Sequence, residues 1–198
     1  LVILVLAKSP FVASVTAVQD GVGLNPLLQD PWMAVHPPVI FIGYALLAVP
    51  FAYAMGALLK DEDQKIWLEP ARRWALFAWG FLGAGVFIGG YWAYKVLGWG
   101  GYWGWDPVEN SSLVPWLLAG AFVHILHVAK RRPAALSVLH LSVIFTFALV
   151  IYGTFLTRSG ILGDFSVHSF SGTSIGMTLA VVNAIVLIGR PVLRPLKG

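Results

Sequence analysis

WGGYWGWDPVENSSLVPWLLAGAFVHILHVAKRRP, residues 99–133, decides the fold. From Leu113 to Ala129 the run carries no Asp, Glu, Lys or Arg, and it stops at Lys130-Arg131-Arg132-Pro133. Its start is marked as sharply. Asp106 suits an N-cap, Pro107 suits the first helical position, and Glu109 sits where a capping-box carboxylate reaches back. In lipid only a helix or a closed barrel satisfies the backbone, and the run is too long and continuous for a barrel strand. It is read as a spanning helix. Ahead of it, Trp99 to Trp105 hold three Trp, one Tyr and three Gly. Glycines would let the backbone run flat while the indoles stand out side by side, a surface suited to a large planar apolar ligand. The plainer alternative is an interfacial aromatic belt.

The composition extends this reading to the whole chain. Of 198 residues, 58% are hydrophobic and 11% charged, which no soluble core needs and a membrane does. The net charge of +4 comes from residues at the ends of apolar runs, so it reads as topology rather than as a nucleic-acid surface. There is no cysteine, which excludes disulfides, thiolate catalysis and Cys metal sites within these residues. Any thiol chemistry here must bring its thiol with the substrate.

Taken in order, Leu1 to Ala7 reads as the tail of a spanning helix that begins upstream, so the stretch is read as a fragment; no basic segment marks a signal peptide. Residues 8–35 mix Pro, Gly, Asp and Asn as an extramembrane segment. Complete spans are expected at about 37–59, 74–95, 113–129, 136–156 and 175–188. The expected architecture is all-α, a polytopic membrane helix bundle with outer-face loops and short amphipathic elements. It forms one transmembrane domain over 1–198, with about five complete spans and the aromatic loop at 99–112.

Charge sets the orientation. Lys60, Lys65, Arg72 and Arg73, then Lys130, Arg131 and Arg132, then Arg190, Arg194 and Lys197 occupy alternate loops. That places ten of the thirteen Lys and Arg on one side, with Lys8, Lys95 and Arg158 on the other. By the positive-inside rule the basic loops are cytoplasmic, so the Trp-rich loop, His36 and His168 share the outer face.

Five histidines fall in two layers. His36, stiffened by Pro37-Pro38, and His168 flank the aromatic loop in sequence and lie on its side of the membrane. Imidazole is a good iron ligand, and two facing across an aromatic floor would hold a haem with both axial positions filled. His124 and His127, three apart, share a helix face. His124 lies six residues before Lys130, about 9 Å along the helix, and so within the membrane. His140 sits at similar depth. An intramembrane ionisable group is a functional candidate for His124, while interhelical hydrogen bonding suits His127 and His140 better. Capping is the simpler role for Asp106 and Glu109. Arg158 suits either a propionate partner or an interfacial anchor.

On Trp99 to Asn110, Asn25 to Gly43 (NPLLQDPWMAVHPPVIFIG) and Gly153 to Phe170 (GTFLTRSGILGDFSVHSF), the chain resembles the haem-handling WWD-domain membrane proteins used in cytochrome c maturation. It is most similar to their CcmF-like haem lyase branch. The resemblance implies that His36 and His168 ligate an outer-face haem iron. It also implies that Trp99, Gly100, Trp103, Trp105 and Asp106 lie in the signature cradling that haem. It further implies that His124 ligates a second, intramembrane b-type haem whose other ligand lies outside this stretch. The implied partners are a CcmE-like haem chaperone, a CcmH-like thiol protein, an apocytochrome c and membrane lipid, with no nucleic acid. The implied place is the bacterial cytoplasmic (inner) membrane, and the implied activity is thioether attachment of haem to a Cys-x-x-Cys-His segment. The competing readings are a CcmC-like haem-export protein that loads a chaperone without ligation, and a small-solute transporter. The transporter would show broken paired spans and a polar midplane path, whereas Asn183 stands alone.

Overall fold

The structure, a computed structural model, describes residues 20–21, 23–60, 65–163, 165–166, 168–169 and 176–193, with side chains of the last helix to Leu187. The described residues form helices and no strand. The helices are α1 (Pro31–Leu59), α2 (Leu68–Val96), α3 (Pro107–Ala129), α4 (Leu136–Arg158) and α5 (Gly176–Leu193). Short 3-10 turns at Pro26–Leu28 and Pro133–Ala135 precede α1 and α4. The first four helices are long and apolar enough to cross a membrane; the apolar described part of α5 is shorter. The expected N-terminal span tail, Lys8, the acidic residues of the loop 61–64, Arg194 and Lys197 lie outside the described residues.

Two of the four spanning helices begin earlier than the sequence reading placed them. The first starts at Pro31, so His36 lies in its second turn instead of at a loop edge. Asp30 is the N-cap and accepts a hydrogen bond from the Trp32 N–H, with Pro31 at the first position. Pro37, Pro38 and Pro50 all lie inside α1. Each removes a helical donor, a cost that neighbouring helices can offset in a membrane. Likewise α2 starts at Leu68, and Arg72 is a helical residue paired with Glu69 at 3.3 Å. At 1.5 Å per residue its 29 residues run about 44 Å, longer than the roughly 30 Å hydrocarbon layer. Its charged ends therefore reach both interfaces. The third starts at Pro107 with the expected capping box complete. Arg158, placed in a loop by the sequence reading, is the last residue of α4, exposed where the chain leads on to His168.

Two helix pairs dominate the packing, α1 with α2 and α3 with α4. Glycine sets the first. A Cβ at Gly43 would lie 2.6 Å from the Leu82 backbone nitrogen, and one at Gly85 would lie 2.7 Å from Ile40 Cα. Backbones approach that closely only where one side has no side chain. Buried clusters then run from the basic end (Ala71, Ala75, Phe122, Leu126, Leu139) through the middle (Leu47, Ala78, Leu82, Ala119) to the Trp-rich end (Trp92, Ala93, Leu97). An ion pair between Lys130 and Glu69 ties α3 to α2 at the basic end. Large apolar side chains such as Phe41, Phe77 and Phe87 are left on the outer surface, which suits lipid.

Candidate functional site

The site is built at the Trp-rich end, where three segments meet the last turns of α2. The first is the turn before α1. Its Leu27 carbonyl accepts a hydrogen bond from the buried Trp92 indole at 3.1 Å, and Asp30 pairs with Lys95 at 2.8 Å. The Lys95 ammonium and the Trp32 N–H hold the Asp30 carboxyl below the usual carboxylate range. Trp32 meets Tyr91 edge-on at 5.2 Å. These contacts clamp the start of α1 against α2.

The second segment is the aromatic loop, locked by the residues that start α3. Glu109 accepts hydrogen bonds from the Gly104 and Asp106 N–H groups, while the Asn110 amide donates to the Trp105 and Asp106 carbonyls. Held this way, Trp105 takes φ 57°, a left-handed conformation that bulky residues rarely adopt. The indoles do not stand out side by side as expected. Trp103 turns inward and packs against the middle cluster, which holds Ile40, Leu82 and Val86 among others. Trp99 folds over Gly104, where a Cβ would lie 3.1 Å from the ring, and its indole N–H donates to the Gly101 carbonyl. Tyr102 stacks on Tyr94 at 4.4 Å. Trp105 projects furthest, 74% exposed. The loop's backbone reversals, not a flat glycine run, decide which way each ring faces. Gly100 contributes one of them with φ 73°.

The third segment follows α4, whose end is brought to α3 where Gly153 meets Ser111. Ser166 donates to Asp106 Oδ2 at 2.6 Å, and the His168 N–H donates to Ser166 Oγ at 3.1 Å. The ring of His168 lies edge-on to Trp92 at 6.2 Å. Between this segment and the aromatic loop is a cleft of about 470 Å³ lined by Trp99, Gly104, Trp105, Pro107, Leu162 and Phe165, with Asp106 at its wall.

The two outer histidines are thereby brought to one stripe of α2. Gly85, Gly89 and Trp92 are spaced i, i+4, i+7 and share a face. His36 lies over Gly85 and Gly89, and His168 lies against Trp92. His36 Nδ1 is 2.8 Å from the Gly85 carbonyl, which can only accept, so Nδ1 carries the proton. His168 Nδ1 is 3.0 Å from Asp106 Oδ2, also an acceptor. In the neutral form of both rings the lone pair is therefore left on Nε2, the nitrogen a metal would take. Among the described residues no group of three or more His, Cys, Asp and Glu could hold a metal ion unaided. Two imidazoles suit a metal whose other ligands come with it.

The inner histidines lie elsewhere. His124 and His127 share a face of α3, as their spacing requires, and both are exposed. His140 is buried, with Nδ1 donating to the Leu136 carbonyl of its own helix and its ring 5.0 Å from Trp67. Sequence reasoning missed Ser166, whose only signal is its place two residues before His168. It also missed Gly85 and Gly89, a G-x-x-x-G spacing of the kind that marks close helix packing.

Residues 1–162 match the model of the family described as cytochrome C assembly protein. The chain is 45% identical to the cytochrome c-type biogenesis protein ccl1 of Rhodobacter capsulatus, over 86% of this chain and 26% of that one. It is 45% identical to CcmF of Pseudomonas aeruginosa over 86% of this chain and 26% of the relative. For CcmF of Escherichia coli the identity is 42% over 90% of this chain and 28% of the relative. The stretch thus spans about a quarter of the length of these relatives. A solved cytochrome c haem lyase CcmF matches the fold with TM-score 0.60 and 41% identity, over 83% of this chain and 29% of that one.

Proposed function

The chain belongs to the cytochrome C assembly protein family, a multi-pass bacterial membrane protein of that family, and from this premise we propose that it holds haem for attachment to an apocytochrome c. The observation that supports this most is the His36 and His168 pair. Two imidazoles from segments 132 residues apart meet one stripe of α2, each with Nδ1 engaged and Nε2 left as the donor nitrogen. A planar tetrapyrrole brings four nitrogens and asks the protein for one or two axial ligands, which is the set present here. The residues fit the group.

On this reading the Trp-rich end faces the periplasm, since the basic ends of α1 to α4 lie opposite. His36 and His168 hold the iron, and Trp99, Trp105, Leu162 and Phe165 offer aromatic and apolar contact to the ring. Trp103 and Gly100 shape the loop from behind. Asp106 works through His168, and Arg158 stands at the same end to meet a propionate. A CcmE-like chaperone delivers the haem, and a CcmH-like protein keeps the incoming cysteines reduced. Each thiol of the Cys-x-x-Cys-His segment adds across a vinyl group, its sulfur bonding one carbon and its hydrogen the other, so no oxidant is needed. The stretch contains no cysteine to compete. Its contribution is to fix two reactants in one geometry, a large share of the barrier in such steps. On the same reading His124, exposed on α3, would ligate a second, b-type haem together with a residue outside this stretch.

The test is covalent haem on a co-expressed apocytochrome c, read by haem staining of a denaturing gel. His36→Ala and His168→Ala in the full-length protein should each abolish the stained band. Undiminished staining in both variants would remove the proposal.

A further inference from the structure

We propose that Asp106 is the positioning residue that makes His168 an iron ligand, by fixing its tautomer; this rests on the bis-histidine reading above. Asp106 is 9% exposed and held at three points. Oδ1 accepts the Val108 N–H at 2.7 Å, which caps α3, while Oδ2 accepts Ser166 Oγ–H at 2.6 Å and His168 Nδ1–H at 3.0 Å. The Ser166 hydroxyl in turn accepts the His168 backbone N–H at 3.1 Å, so serine and carboxylate grip both ends of the histidine. A carboxylate anchored to a helix start cannot swing away, and it cannot donate. His168 Nδ1 must therefore carry a proton, and in the neutral ring Nε2 keeps the lone pair.

The two axial histidines are then unequal. His36 donates to a neutral carbonyl, His168 to a carboxylate. The charged acceptor draws the Nδ1 proton harder and makes His168 the more electron-rich ligand. One short side chain thus starts a helix and prepares a ligand.

Asp106→Asn separates these two duties. Asparagine caps a helix as well as aspartate does, so the start of α3 is kept. Its amide, in place of Oδ2, donates toward Nδ1 and turns His168 to the tautomer that presents N–H to the iron. Ferric protoporphyrin IX is titrated into the full-length protein in detergent, for wild type, Asp106→Asn and His168→Ala. Asp106→Asn should weaken haem retention about 10- to 100-fold and shift the spectrum from six-coordinate low-spin toward five-coordinate, as His168→Ala does. Added imidazole should restore the six-coordinate spectrum in both, and the unfolding temperature of Asp106→Asn should match wild type. A wild-type spectrum in Asp106→Asn beside a lost ligand in His168→Ala overturns this proposal and leaves the ligand reading standing. An unchanged spectrum in His168→Ala overturns both. Should Asp106→Asn fail to fold, Ser166→Ala removes the competing donor and leaves Oδ2 to His168. The iron reduction potential should then fall below wild type, and an unchanged or higher potential overturns the proposal.

Discussion

Gly89 gives the sharpest separation of folding from function. A Cβ there would lie 2.6 Å from His36 Cε1 and 2.8 Å from Nδ1, and its three nearest heavy atoms all belong to that ring. Carbon atoms rest at about 3.5–4.0 Å, so in Gly89→Ala the imidazole must retreat by about 1 Å. The Nδ1 to Gly85 carbonyl distance, now 2.8 Å, would open past hydrogen-bond range. That loss costs about 1 kcal/mol. Alanine in place of glycine inside a helix returns about 1 kcal/mol. The two nearly cancel, so the unfolding temperature in detergent, followed by tryptophan fluorescence, should stay within a few degrees of wild type. Haem retention, measured by titration, should weaken by about tenfold or more because the ligand is displaced. Gly80→Ala is the control. It sits on the same helix with nothing within 4 Å, and should leave both readouts at or above wild type. Wild-type haem binding in Gly89→Ala, or equal damage from Gly80→Ala, would refute the placement of His36 over α2.

Three further outcomes are expected. Gly43→Ala puts its Cβ against the Leu82 backbone, which cannot turn aside, so unlike Gly89→Ala it should destabilise the protein by about 1–3 kcal/mol; an unchanged unfolding temperature would contradict the close approach of α1 and α2. Asp30 has its carboxyl lowered by Lys95, so its stabilising effect is complete above the usual carboxylate range and is lost only as pH falls through the lowered value. Asp30→Asn should therefore differ from wild type in unfolding temperature at pH 6 and 8 alike, with the gap closing in acid; a gap that closes between pH 6 and 8 would point to another group. Trp105→Gly relieves the left-handed strain at an exposed position, and should leave the fold as stable or up to about 1 kcal/mol more so while weakening haem retention. A clear loss of stability would show that the indole packs more than its exposure indicates.

The helical membrane architecture was legible from residues that act locally. Asp106, Pro107 and Glu109 marked a start that the structure reproduces with a full capping box. Asp30-Pro31 carries the same signal, but the sequence reading opened the span at Pro37-Pro38; the helix instead runs through them, packed against the glycine face of α2. Arg72 read as a loop charge because its i, i+3 pairing with Glu69 matters only once the helix exists. Alternation of basic loops put His36 and His168 at one end of the molecule. Their meeting on one stripe of α2 was not legible, since it depends on Gly85, Gly89 and Trp92 lying on one face and on chain segments far apart in sequence. Nor was the Asp106, Ser166 and His168 grip, which joins residues about sixty positions apart. The inward turn of Trp103 follows from the backbone path of the aromatic loop, which its composition does not carry.

The proposal that His36 and His168 together hold haem iron is open to one direct measurement, electron paramagnetic resonance of the full-length protein loaded with ferric protoporphyrin IX. Wild type should give a low-spin signal of two imidazole ligands, and His36→Ala and His168→Ala should each convert it to high-spin. A low-spin signal that survives unchanged in both variants would mean that other residues hold the iron.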